Sequence, residues 1–99
     1  MVHVILYPGF LNIDHLYDVQ VAIWDARARW YNIGLGLRLS ADTLDAIAKN
    51  NLNRSEECLT DAVKLWLRNE KPRPTWKALA EVLKSPIVGY AHLAENLPK

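Results

Sequence analysis

The chain has 99 residues, of which 51% are hydrophobic and 23% charged, and its net charge is +1. This is the make-up of one compact domain, which excludes a two-domain chain and leaves no overall field to draw nucleic acid or acidic lipid. A chain this size buries roughly 60 to 65% of its unfolded surface, leaving little room for both a core and an elaborate catalytic pocket. The single cysteine, Cys58, excludes an intramolecular disulfide and a cysteine-based zinc site, and fits a reducing compartment.

Residues 1–12 carry no helical stripe and read as an extended arm or boundary segment lying against the domain, with a docking strand or swap element as the sharper alternative. The apolar stretch from Val4 to Leu11 is short, is interrupted by Pro8 and Gly9 and lacks a basic leader. It therefore reads as neither a membrane span nor a signal peptide, and a cytoplasmic location is expected.

From residue 13 to 99 the apolar spacing predicts six helices. Leu16, Val19, Ile23, Ala26 and Trp30 form the stripe of the first, which runs towards the second with a bend expected near Arg29 and Trp30. Trp30, Ile33, Gly34 and Leu37 carry the second, which ends near Arg38, and Gly34 reads as a close helix contact. Ser40 is the expected N-cap of the third, with Asp42 in its first turn and Leu44, Ile47 and Ala48 inside. Ser55 is the expected cap of a long fourth helix, with Glu56 and Glu57 in its first turn. Leu59, Ala62, Val63, Trp66 and Leu67 line its inner face, broadened by Cys58 and Leu65, and Asp61 and Lys64 are its i, i+3 partners. Pro72 and Pro74 end it; Thr75 caps a fifth helix carrying Trp76, Leu79, Ala80 and Leu83. Tyr90, Leu93, Ala94 and Leu97 carry a sixth up to Pro98. The loops between them are short, as antiparallel neighbours require, so the expected fold class is an all-α, six-helix antiparallel bundle.

The candidates for chemistry read as structural. Ser40, Ser55 and Thr75 are cap residues, Cys58 falls on an apolar helix face, and His3, His15 and His92 are scattered without metal-ligand spacing. Glu56 and Glu57 are adjacent on a helix and point apart, and the GLG around Gly34 and Gly36 lacks the strand and lysine of a phosphate loop. Trp30, Trp66 and Trp76 lie on apolar stripes and are expected in the core; Trp24 lies beside one. No catalytic residue, cofactor or metal is therefore expected.

Four segments, WYNIGLGLRLSADTLDAIAKN, ECLTDAVKLWL, PTWKALAEVLKS and GYAHLAENL, together resemble a death domain over about residues 13 to 97. Trp30 opening the second helix, Leu37, Leu39 and Ser40 stepping into the third, Leu59, Trp66 and Leu67 in the fourth, Thr75 and Trp76 opening the fifth, Leu79, Leu83, Leu93 and Ala94 match the family pattern. The resemblance implies the six-helix death fold and a non-enzymatic module. Such modules bind other death domains, of the same or another chain, through asymmetric surfaces in apoptotic and inflammatory signalling. The surfaces it implies use the first and fourth helices against the second and third, the end of the fourth against the loop before the sixth, and the third against neighbouring loops. The matching exposed candidates are Asp18, Asp25, Arg38, Asp45, Lys49, Asp61, Lys64, Arg68, Glu70, Lys71 and Arg73.

Lys64, Arg68, Lys71 and Arg73 cluster at the end of the fourth helix, while Asp14, Asp18 and Asp25 bias the first towards acid, so opposite patches permit head-to-tail contact. The alternative is a small helical nucleic-acid-binding domain, which needs a basic third helix; Asp42 and Asp45 with only Lys49 argue against it. Nucleic acid, a membrane and a small-molecule substrate are accordingly not expected as partners.

Overall fold

In the computed structural model, which describes residues 9–98, Asn12 opens the first helical segment. Its side-chain oxygen accepts the Asp14 amide at 2.8 Å while its own amide donates to His15 Nδ1 at 2.9 Å, a reciprocal cap on the 3-10 turn Ile13–His15. Residues 1–8 of the expected arm lie outside the described residues. Leu11, just before this turn, is buried in the core and its amide donates to the Pro74 carbonyl at 2.7 Å, so the apolar core already begins ahead of Ile13.

Helix α1 (Leu16–Ile23) gives way to a 3-10 stretch, Trp24–Arg29, before α2 (Trp30–Gly36). The expected bend near Arg29 and Trp30 is thus spread over six residues and begins earlier, at Trp24. Three residues per turn keep Ile23 and Ala26 on one face, so the buried stripe Val19, Ile23, Ala26 and Trp30 survives the change of helix type. Arg38 follows α2 in the left-handed region at φ 73. There its amide reaches the Leu35 carbonyl at 3.0 Å, and the Leu39 amide reaches that of Gly34 at 3.0 Å, closing the helix with its last carbonyls satisfied.

The Ser40 hydroxyl accepts the Thr43 amide at 3.1 Å and starts α3 (Ala41–Asn50), which ends by the same device as α2, with Leu52 and Asn53 at positive φ. Those two residues set the approach to α4 (Ser55–Leu67), and they shift its cap. Arg54, extended and without a side-chain cap, is the N-cap, and Ser55 is the first helical residue rather than the cap expected of it. Glu56 and Glu57 supply the favourable first-turn charge in its place. The Thr75 hydroxyl accepts the Ala78 amide at 3.0 Å to start α5 (Trp76–Lys84). The last element, α6 (Ala91–Glu95), is shorter than the expected span, because the Asn96 side chain takes the His92 carbonyl at 3.2 Å and closes it; Leu97 nonetheless remains buried beyond it.

The architecture is all-α, with no strand among the described residues, and its radius of gyration of 13.0 Å is that of a folded domain of this length. Helix α4 is the centre, with α1, α2 and α3 packed against it, while α5 pairs with α6 and also meets α2. Leu59, Ala62, Val63, Trp66 and Leu67 of α4 are all buried, as are Trp30 and Trp76. Leu65 departs from the expected inner face and is 41% exposed, since it lies across the helix from Leu59 and Val63. Among the described residues no polar or charged residue is buried.

Candidate interaction surfaces

With an apolar core, the charged side chains of the described residues lie at the periphery. Of the eleven residues expected at an interface, Asp18, Asp25, Arg38, Asp45, Lys49, Arg68, Glu70, Lys71 and Arg73 are exposed, whereas Asp61 and Lys64 are half-buried on α4. Their distribution is uneven. Arg68 caps the C-terminus of α4, and Glu70, Lys71 and Arg73 follow it in the loop before α5, so the cationic residues crowd one corner. The buried Pro74, held by the Leu11 amide, pins residues 9–12 against that loop. Phe10, which sequence reading did not single out, then comes to lie beneath Arg73, with the guanidinium 5.2 Å from its ring centre. Phe10, Leu67, Arg68 and Arg73 are among the residues around a groove of about 520 Å³.

Asp18 and Asp25 lie on α1 and the 3-10 stretch, with Asp14 just ahead, so the acidic bias expected of the first helix is realised along one edge of it. Beside that edge stand Tyr17, Val21 and Trp24, all exposed. This second apolar stripe was missed because attention to Val19 and Ile23 takes up the inner face; its i, i+4, i+7 spacing was the available signal. The Arg27 guanidinium lies 5.1 Å from the Trp24 ring centre, donates to the Trp24 carbonyl at 2.9 Å and pairs with Glu56 of α4 at 3.7 Å. On the opposite edge, Gln20 donates to the Thr60 hydroxyl at 2.6 Å and ties α1 to α4.

Two of the expected interface acids are engaged within the fold. Asp61 accepts Asn51 Nδ2 at 2.8 Å, joining α4 to the end of α3, rather than pairing with Lys64. Asp45 accepts the Tyr31 hydroxyl at 2.7 Å and ties α3 to α2. That hydrogen bond, followed by lesser desolvation and the charges of Asp45 and Asp42, raises the Tyr31 phenol above the ordinary tyrosine value. The neutral phenol is the form that donates, so the tie is intact at neutral pH and is lost as pH rises through the raised value. Asp45→Asn is expected to bring the Tyr31 titration back down, measured by phenolate absorbance against a Tyr31→Phe reference. An unchanged titration would show that the hydrogen bond is not formed in solution.

The remaining candidates are held structurally. Cys58 is buried, its thiol points to the Ile47 carbonyl at 3.8 Å, and burial, then Asp61 and Glu57, push its pKa up, away from the reactive thiolate. His15 belongs to the cap at Asn12, and His92 is exposed with its ring 5.7 Å from that of Tyr90; His3 lies outside the described residues. Among the described residues no group of three or more His, Cys, Asp or Glu is placed to hold a metal ion, and no helix is long and apolar enough to cross a membrane. Comparison of the chain with protein-family models, with curated proteins and with solved structures returns no match.

Proposed function

We propose that the chain is a non-catalytic protein-protein interaction module of the death-domain type, a six-helix antiparallel bundle that joins other death domains in cytoplasmic apoptotic or inflammatory signalling. The all-α order and the caps at Ser40 and Thr75, which open α3 and α5, are in keeping with the pattern of residues that resembles that family. One observation carries the reading: surface charge is unevenly distributed, with Asp14, Asp18 and Asp25 along α1 and its flanking 3-10 turns, and Arg68, Lys71 and Arg73 outnumbering Glu70 at the corner after α4. Opposite patches on one small domain favour a heterologous contact, which leaves a free patch of each sign at the two ends and so propagates instead of closing as a dimer. A nucleic-acid-binding role draws no support from α3, where Asp42 and Asp45 are exposed beside Lys49.

Light scattering behind size exclusion, over a wide concentration range and at low and high salt, tests the proposal. Larger species that diminish as salt rises are expected, because screening weakens exposed charge pairs. The double reversal Arg68→Glu/Lys71→Glu is expected to abolish assembly while leaving helicity by circular dichroism unchanged. Assembly that survives the reversal would refute the charge-complementary mechanism.

A further inference from the structure

The face formed by Tyr17, Val21 and Trp24 is the most exposed apolar surface presented by the described helices at regular spacing. Tyr17 is 77% exposed, Val21 58% and Trp24 38%, and they stand at i, i+4 and i+7 on the side of the helix away from Val19 and Ile23. Together with Gln20 and Asp25 they line a shallow groove of about 500 Å³. The fold gains nothing from leaving such side chains in water, and contiguous apolar surface of this kind marks contact with another molecule. Trp24 is also braced: Arg27 stacks on its ring, bonds its carbonyl and is itself held by Glu56, so little side-chain freedom remains to be lost on binding.

The charge around the stripe selects its occupant. Asp14, Asp18 and Asp25 line one edge, and the one cation at the stripe, Arg27 on the Trp24 ring, is paired with Glu56, so the face keeps an excess of acid. A second copy docking the same face would bring two acidic edges into one contact, and an anionic membrane would be repelled. What fits is a surface both apolar and cationic, and this chain carries one. At the corner after α4, Phe10 is 48% exposed beneath the Arg73 guanidinium, and its groove is shared by Arg68 and Glu70, with Lys71 beside them leaving the cations in excess.

Resting on the homotypic reading above, we infer that the Tyr17, Val21 and Trp24 face is the seat for the Phe10 and Arg73 corner of a second copy. Each copy gives its helical face to one neighbour and its corner to the next. Aromatic and arginine side chains in a partly enclosed groove supply the anchoring energy, and the acidic edge sets the orientation.

The test uses two variants of the full chain, Tyr17→Ser/Val21→Ser and Phe10→Ser/Arg73→Glu, each checked for unchanged helicity, in sedimentation velocity. Each alone is expected to associate at least about tenfold more weakly than the parent chain. Their equimolar mixture is expected to form a one-to-one dimer and nothing larger, because only one intact face of each kind remains. Lys77→Ser, at an exposed position on α5 outside every surface named above, is expected to assemble like the parent chain. If Tyr17→Ser/Val21→Ser assembles normally while Arg68→Glu/Lys71→Glu does not, the seat is elsewhere and the homotypic reading survives. A mixture that stays monomeric, or a Lys77→Ser variant as impaired as the others, overturns the pairing of the two faces. A parent chain that is monomeric at every concentration overturns both this inference and self-assembly.

Discussion

Leu59→Ala is expected to lower the free energy of unfolding by about 2–5 kcal/mol, among the largest losses available to a single truncation in this chain. Leu59 is fully buried on α4, and α4 is the element against which α1, α2 and α3 pack. Neighbours on three sides cannot all move inward to fill the space, so most of the cavity cost persists. A domain of this length has about 5–15 kcal/mol in total, and each kcal/mol moves its melting temperature by about 4–8 °C, so the effect is large in a thermal scan. Urea denaturation with an unchanged slope would confirm loss of stability rather than of compactness. A loss below about 1 kcal/mol would show that α4 is not the packing centre.

Gly34→Val is expected to be nearly as damaging, at the upper end of about 1–3 kcal/mol, by the opposite mechanism of overfilling. A Cβ at Gly34 would lie 2.5 Å from Leu44 Cδ2 and 3.2 Å from Cδ1, and Leu44 is itself fully buried, so the α2–α3 contact must open. Gly34→Ala separates sterics from backbone effects. Its single methyl is that Cβ and carries the same overlap with Leu44, without valine's two further methyls and offset by about 1 kcal/mol of helix propensity, so it is expected to be the milder of the two. The two variants should also differ in the Tyr31 titration, because the Tyr31 to Asp45 hydrogen bond spans the same pair of helices. Alanine and valine variants both as stable as the parent chain in chemical denaturation would refute close approach at this position.

Helical periodicity carried most of the fold because burial is decided residue by residue along a regular spiral, and the stripes from Val19 to Trp30 and from Leu59 to Leu67 are buried as their spacing requires. It could not distinguish α-helix from 3-10 helix between Trp24 and Arg29, where a step of three residues suits both. Ser55 shows a second limit. A hydroxyl before two glutamates reads as a cap, but the left-handed Leu52 and Asn53 advance the chain by one position, and although asparagine tolerates that conformation, leucine does not announce it. Ser40, after the single left-handed residue Arg38, and Thr75, after none, cap as expected.

The surfaces were less legible for a related reason. Charge alone marks Arg68, Lys71 and Arg73, but their meeting with Phe10 depends on the amide of Leu11 reaching Pro74, a contact distant in sequence. Asp45 and Asp61 read as free surface acids, yet their partners Tyr31 and Asn51 lie on other turns that only folding brings near. The stripe Tyr17, Val21 and Trp24 was present in the spacing and obscured by the stronger inner stripe beside it.

The absence of buried polar or charged residues among the described residues has an evolutionary corollary. Apart from side chains such as Asp45 and Asp61, which tie helices together, the exposed charged residues and the residues that fill the core occupy separate positions, and changes at distant sites combine nearly additively. Surface substitutions away from caps and tight contacts cost little, commonly within about 0.5 kcal/mol, so a duplicate of this domain could exchange one binding specificity for another by drift on its outside alone. Such a scaffold can diversify into many recognition modules while its interior stays as it is.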